Sequence, residues 1–446
     1  MNERELALYV LIDVLSEKAY NNLALNLCLN KNKNLSKVQR AFITQLVNGT
    51  LRNLIYIDYV IESYSSTPIR KMKPVILNTL RISVFQLVFM EKVPASAVVN
   101  EAVNLVKKKG FKSLSGFING VLRNIDRNKN NIKLPDKNKE TVRFLSIKYS
   151  YPEWILNYWL EEMTIEELEK MLIECMKTPE ISVCVNTLKT DKQSLKAILA
   201  ADNVSLGEGR FLKDCLRISK SGNFSATEAF NDGLFFVMDE SAMLSVILLN
   251  PSEGSRVIDC CAAPGGKSFY SAIRMNNKGS ISARDMYEHK IELLNEGKER
   301  LGASIVEPLL LDATENVAKD EQSCDYLIVD APCSGLGLVK KKPDIKYSKE
   351  IEDIESLAQL QRDILSVNQS YVKKGGVLVY STCTVSKKEN IDNVKWFVEN
   401  YPFELEDISD LLPEKIECST AKEGYIQILP SDYGTDGFFI AKLRRK

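Results

Sequence analysis

Asp325-Tyr326-Leu327-Ile328-Val329-Asp330-Ala331-Pro332-Cys333-Ser334-Gly335 is the stretch that decides how this chain of 446 residues is read. A short apolar run ends in Asp. The Pro that follows can neither extend a helix nor donate a ladder hydrogen bond, so the run reads as a buried strand that stops abruptly. In an open α/β sheet, ligands sit in the crevice outside the carboxyl ends of the strands, which puts Asp330 and Cys333 in that crevice. The apolar run Val377-Leu378-Val379 leads in the same way into Tyr380-Ser381-Thr382-Cys383-Thr384. Free cysteine ordinarily packs as a small hydrophobe. A thiol directly after a strand-terminating Asp-Ala-Pro is poorly placed to fill a core, and two thiols in that setting point to covalent chemistry.

Outward from these two strands, the chain from Asp239 onward alternates strands and helices. Strands are expected at Arg256–Asp259, Ser280–Ala283, near Val306–Leu311, before Asp330 and at Val377–Tyr380. Helices are expected at Lys267–Met275, Glu288–Leu301, Ile351–Val372 and Lys387–Asn400. Such a succession implies a doubly wound, mostly parallel sheet, with Gly437–Ala441 adding an edge strand. Residues 1–127 read as helix throughout, with apolar residues such as Val75, Leu80 and Val84 at helical spacing and Pro68, Pro74 and Pro94 as punctuation. The polar stretch 128–140 is taken as a linker, and 141–238 as a small α+β subdomain preceding the main domain at 239–446.

Composition narrows the class. Hydrophobic content of 45% and charged content of 26% are ordinary for a globular protein. No apolar run is long enough for a membrane span, and Glu3, Arg4 and Glu5 do not open a signal peptide, so the cytoplasm is the expected compartment. A single His, at 289, and no repeated C-x-x-C pattern leave little for a metal site or a Ser-His triad. The formal net charge is zero, yet residues 1–135 hold 20 Lys and Arg against 9 Asp and Glu. A cationic front third suits either a polyanion such as a nucleic acid or merely a solvated face.

The first strand–helix turn, Asp259-Cys260-Cys261-Ala262-Ala263-Pro264-Gly265-Gly266-Lys267-Ser268, lacks the G-x-G-x-x-G spacing of a dinucleotide fold. A P-loop would need Gly where Cys261 stands, so both phosphate cradles fail. A Gly-Gly turn still brings backbone N–H groups close to a ligand, and S-adenosylmethionine has a carboxylate but no phosphates. Asp285, after the second strand, suits a pair of ribose hydroxyls. Asp312, after the third, suits an adenine amine. Each acid alone reads as an ordinary helix cap, whereas acids after successive strands, at 259, 285, 312 and 330, favour a cofactor crevice.

Asn48-Gly49-Thr50-Leu51-Arg52, Val99-Asn100-Glu101-Ala102-Val103 and Gly116–Arg123 resemble the NusB-type RNA-binding fold. The ordered set Phe236–Ser241, Cys261–Lys267, Asp330–Cys333 and Thr382-Cys383 is similar to the RNA (cytosine-5)-methyltransferases, and the whole chain resembles the bacterial members of that family that act on 16S ribosomal RNA. The resemblance implies a Rossmann-like methyltransferase domain behind an all-α RNA-binding domain. It also implies that Cys261, Ala262, Ala263, Pro264, Gly265, Gly266, Lys267, Asp285, Asp312 and Asp330 line the S-adenosylmethionine site, and that Cys383 is the nucleophile. Spacing does not order the two thiols; only the resemblance gives Cys333 the elimination step.

Cytosine C5 is too weak a nucleophile to take a methyl group directly. A thiolate added at C6 makes C5 enamine-like, and a base must later remove the C5 proton. Asp330 suits the cytosine amino edge or N3, and Lys267 would lower a thiol pKa or touch the base. The base must be unstacked to reach such a pocket, and Lys340, Lys341 and Lys342 are expected on its phosphate track. A monomer without metal is expected. The alternatives are the same chemistry on another RNA such as transfer RNA, or a non-catalytic RNA-binding assembly factor.

Overall fold

The computed structural model describes residues 2–202, 204–220 and 227–446. The chain forms two compact units, Met1–Met176 with Val339–Lys349, and Lys177–Leu338 with Glu350–Lys446. This grouping cuts across the segments expected from sequence. The helices between Thr141 and Met176 fall in the first unit, and the strands between Ile181 and Val237 in the second.

The first unit is helical because its apolar residues recur at helical spacing and its punctuation falls where helices must start. Pro74 occupies the first turn of Pro74–Phe89, where its missing N–H costs nothing. Ser36 and Gln39 close a capping box ahead of Lys37–Arg52. These two helices cross at Gly49, where an added Cβ would lie 2.0 Å from the Phe85 ring, so the glycine is what lets the helices approach. One face of Leu54–Tyr64 is held by a bidentate pair, Arg81 Nε and Nη2 each 2.7 Å from Asp58.

Val339–Lys349 packs inside this unit. Lys340 is buried and pairs with Glu174 at 2.7 Å. Lys346 is fully buried, donating to the Arg52 carbonyl at 3.0 Å and lying 4.4 Å from the centre of the Tyr151 ring. Burial holds the Lys346 amine well below the usual lysine range. Tyr347 donates to the Ser150 carbonyl at 3.1 Å. The expectation of a lysine phosphate track is therefore corrected at Lys340, whose charge is spent on Glu174; Lys342 is exposed.

The second unit carries two sheets. Strands β1 (Ile181–Val185), β2 (Ser205–Glu208), β3 (Cys215–Lys220) and β4 (Phe235–Val237) form an antiparallel sheet in the order β2-β3-β1-β4. The larger sheet comprises β5 (Arg256–Asp259), β6 (Ser280–Asp285), β7 (Val306–Leu310), β8 (Cys324–Asp330), β9 (Val372–Thr382), β10 (Phe403–Leu405), β11 (Tyr425–Ile428) and β12 (Phe438–Arg445). Its path is β10-β12-β9-β8-β5-β6-β7, with β11 also paired to β12. The five strands from β7 to β9 are mutually parallel, and β12 runs antiparallel to β9. The expected C-terminal edge strand is thus an interior one, covered by β9 on one side and by β10 and β11 on the other.

Alternation along the central strands splits the core into two layers. Val257, Ile328, Val377 and Val379 face the helices Glu240–Leu249 and Gly266–Arg274. Ile258, Leu327, Val329, Leu378 and Tyr380 face Ile351–Asn368 and Ile391–Asn400. Both faces are covered, so the strands read as nearly unbroken apolar runs. The chain steps outward from β5 through β6 to β7, then returns to place β8 on the other flank of β5. The carboxyl ends of β5 and β8 therefore frame the switch-point crevice.

Gly49→Ala is expected to overpack the Phe85 contact and destabilise the helical unit by about 1–3 kcal/mol. Thermal unfolding followed by circular dichroism checks this, and a melting curve identical to wild type would mean that Phe85 has room to turn aside.

Candidate active site

Parallel pairing sets the site. The β8–β9 register puts Asp330 beside Ser381, and one bond further the Ala331 N–H donates to the Ser381 carbonyl at 3.0 Å. Both strands stop there. The chain after β8 returns at Gly337, whose N–H donates to the Cys383 carbonyl at 3.1 Å. A side chain at Gly337 would meet the Gly437 carbonyl oxygen at 2.1 Å, so only glycine permits this approach. Cys333 and Cys383, 50 positions apart in the chain, consequently meet with their sulfurs 3.2 Å apart, both half-buried. Contact with Cys383, together with burial, holds the Cys333 thiol well above the usual cysteine range. At neutral pH Cys333 therefore keeps its proton.

Asp330 uses both carboxylate oxygens. Oδ2 lies 2.6 Å from Lys267 Nζ, and Oδ1 accepts from Ser381 Oγ at 2.8 Å. The Lys267 ammonium, itself 5.1 Å from the centre of the Phe438 ring, is nearly buried. Lys267 is thus tied to the acid rather than to either sulfur, and its first effect is to orient the Asp330 carboxylate.

The turn after β5 is pinned to both neighbouring strands. The Cys260 N–H donates to the Ile328 carbonyl at 3.1 Å and the Ala262 N–H to the Arg284 carbonyl at 2.8 Å. Gly265 sits at φ +107°, where a Cβ would lie 2.3 Å from the Phe269 ring. Glycine is demanded there twice over, by conformation and by space. The helix Gly266–Arg274 starts immediately, leaving its first N–H groups turned to the crevice. Below the turn Asp259 is fully buried. Ser268 Oγ donates to its Oδ2 at 2.7 Å, while Oδ1 is buried without a hydrogen-bond partner. Burial pushes this carboxyl up to about 7, against the pull of Ser268 and Lys267. Asp285 ends β6, nearly buried, with Lys290 Nζ 3.2 Å away. Asp312, just past β7, accepts from the Thr314 N–H and hydroxyl at 2.8 Å, the local capping contact that its residue type allows.

These side chains suit a ligand with a cationic amine, a carboxylate and a ribose. The free Asp259 oxygen is an acceptor for the amine, the helix start offers donors to the carboxylate, and Asp285 stands at the strand end where ribose hydroxyls are held in related sheets. Among the described residues, no group of three or more His, Cys, Asp and Glu side chains is placed to hold a metal, and no helix is long and apolar enough to cross a membrane.

Sequence reasoning passed over a buried polar network behind the thiols. Glu389 Oε1 accepts from the Ser334 N–H at 2.8 Å and from Gln361 Nε2 at 3.1 Å, and its Oε2 accepts from Ser334 Oγ at 2.6 Å. Gln361 Nε2 also donates to the Pro332 carbonyl at 3.0 Å. The expected helix from Lys387 begins only at Ile391, because Glu389 and Asn390 turn inward to serve these loops. Lys387-Lys388-Glu389 reads as an exposed helical start, so no signal in the sequence marked the carboxylate. Cys184 is fully buried in β1.

Comparison with known proteins agrees along the whole chain. A family model described as "16S rRNA methyltransferase RsmB/F" matches residues 246–444, one for the NusB family matches residues 1–127, and one for an RsmF/B-like ferredoxin-like domain matches residues 151–225. A probable ribosomal RNA small subunit methyltransferase B from Bacillus subtilis is 38% identical over 446 residues, covering 99% of this chain and 98% of that one. One of the same description from Synechocystis is 31% identical, covering 100% of both chains. The crystal structure of the protein PH0851 superposes with a TM-score of 0.83 at 26% identity, over 100% of this chain and 99% of that one.

Asp259 carries a pH signature. Its native pKa of about 7 lies above the ordinary 3.8, so the native state holds the proton more tightly than the unfolded chain. The carboxyl is neutral and harmless below pH 4, and stability falls as pH rises towards 7, by at most about 4 kcal/mol. Asp259→Asn, which keeps an acceptor for Ser268, is expected to flatten that fall. Melting temperatures of the ligand-free protein from pH 5 to pH 8 test it, and equal slopes for the two proteins would refute it.

Proposed function

From the premise that the chain belongs to the RsmB/F family of 16S rRNA methyltransferases, we propose that it methylates C5 of one unstacked cytosine in 16S ribosomal RNA through a covalent Cys383–C6 adduct. That it is an S-adenosylmethionine-dependent methyltransferase of small-subunit ribosomal RNA follows from the family. The finer reading rests on one observation, the 3.2 Å separation of the Cys333 and Cys383 sulfurs at the ends of adjacent parallel strands.

S-adenosylmethionine, held by Cys261–Lys267, Asp285 and Asp312, supplies an electrophilic methyl group. The Cys383 thiolate adds to C6 of the cytosine, forming an S–C6 bond and moving the C5–C6 electron pair onto C5. Asp330 faces the amino edge and N3, where its charge, kept in place by Lys267 and Ser381, stabilises the proton that N3 takes from solvent on addition and gives back when the S–C6 bond breaks. Once C5 is methylated, Cys333 releases its own thiol proton to solvent and the resulting thiolate takes the remaining C5 proton; the electron pair re-forms the C5–C6 double bond and the S–C6 bond breaks. Cys383 leaves as thiolate. Contact with Cys383 and burial raise the Cys333 pKa, and a raised pKa makes its thiolate a strong base, which suits proton removal. A base reaches this crevice only when turned out of its stack, so the substrate is a loop or an opened helix.

Cys383→Ala is expected to abolish tritium transfer from labelled S-adenosylmethionine to 16S ribosomal RNA and to form no adduct. Cys333→Ala is expected to attack and methylate but to remain bound, giving a denaturant-stable protein–RNA band on a gel. The opposite pattern would exchange the two roles, and bisulfite sequencing of RNA from a deletion strain would locate the cytosine.

A further inference from the structure

A buried carboxylate joins the two loops that carry the thiols. Glu389 lies six residues after Cys383 on one loop, yet three of its contacts are to or beside the other. It takes both the N–H and the hydroxyl of Ser334, the residue next to Cys333, at 2.8 and 2.6 Å. Ser334 has its hydroxyl proton on that carboxylate, so the 2.7 Å contact to Thr384, the residue next to Cys383, is donated by Thr384. Gln361 then ties Glu389 to the Pro332 carbonyl on the near side of Cys333. Tyr380 reaches the same assembly from β9, donating to the Glu389 carbonyl at 2.6 Å and standing 3.1 Å from Gln361 Oε1. Cys333 is therefore clamped at Pro332 and at Ser334 by groups that converge on one side chain.

We propose that Glu389 is a positioning residue for the elimination step, bracing Cys333 against Cys383 through Ser334 and Gln361 and setting a negative charge beside the sulfur that takes the C5 proton. The inference rests on the reading in which Cys383 attacks and Cys333 takes the C5 proton. Glu389 is fully buried and touches neither sulfur by hydrogen bond, so it acts through Ser334 and through its field. The field is strong because little water screens it. Cys383, burial and the Glu389 charge all push the Cys333 thiol up. The other titratable groups in this neighbourhood are Tyr380, whose phenol is raised by burial and stays neutral, and Asp330, whose charge is paired with Lys267. Glu389 is thus a negative charge that bears on Cys333 from the neighbouring loop. Burial raises its own carboxyl, while the donors Ser334 and Gln361 oppose that rise and favour the charged form.

The test uses the full chain with a 16S ribosomal RNA transcript and tritiated S-adenosylmethionine, comparing wild type, Glu389→Ala, Glu389→Gln, Cys333→Ala and Cys383→Ala for turnover and for denaturant-stable adduct. Glu389→Ala removes the brace. It is expected to form the adduct but to resolve it about 10- to 100-fold more slowly, the cost of misplacing a reacting group by about 1 Å. Glu389→Gln keeps acceptor and donor for Ser334 but loses the charge. It is expected to recover most of the resolution rate, with the rise of that rate with pH moved to lower pH. Wild-type resolution in Glu389→Ala, or loss of adduct formation instead, overturns the proposal. Should the alanine variant fail to fold, an unmoved pH profile in Glu389→Gln overturns it as well. An adduct in Cys383→Ala would defeat the underlying assignment of the thiols instead, whatever Glu389 does.

Discussion

The pairing of β8 with β9 is the constraint on which the chemistry depends. Each strand is a buried apolar run, each stops at the same level of the sheet, and the parallel register brings Asp330 beside Ser381. The distance between two sulfurs 50 residues apart is then set by a ladder of backbone hydrogen bonds and by the two short loops that leave it. Side chains alternate faces along a strand, so a slip of one residue would turn Asp330 away from Lys267 and send Tyr380 out of its layer. The same register thus serves the core and the site.

Around that pair the electrostatics divide the work. Lys267 and Ser381 each hold one oxygen of Asp330, which presents an oriented carboxylate at the mouth of the crevice. The Cys333 thiol keeps its proton, with Cys383 against it and a buried carboxylate one residue away. Asp259, below the glycine turn, titrates near neutrality because it is buried without a cation in direct contact, at a cost to stability. Polar groups this deep are retained at a loss to folding, the usual pattern where strain or unpaired charge serves a site.

Much of this was legible from local pattern. Asp330-Ala331-Pro332-Cys333 and Thr382-Cys383 announced strand ends carrying thiols, and the glycines at 265 and 266 announced a tight strand–helix turn. Lys340 shows the limit of such reading: Lys340-Lys341-Lys342 looks like a solvent-facing basic run, yet Lys340 is buried against Glu174, a partner 166 residues away. Asp312 was legible only in part, since its Thr314 contact is the cap that its residue type suggests. The final strand was recognised, but not its place inside the sheet, because an alternating apolar run looks the same with one neighbour as with two. Glu389 left no trace at all, as a charged residue in a charged stretch.

The sequence by itself determined where strands end, which residue types stand at those ends, and that a helical, cationic third precedes an alternating α/β domain, because periodicity and strand-breaking residues are local properties. Only the tertiary structure decided which ends are neighbours, that Lys267 serves Asp330 rather than a thiol, and that Glu389 reaches across to Ser334. Those are contacts between residues distant in the chain, and they follow from sheet order and register, which no single segment encodes.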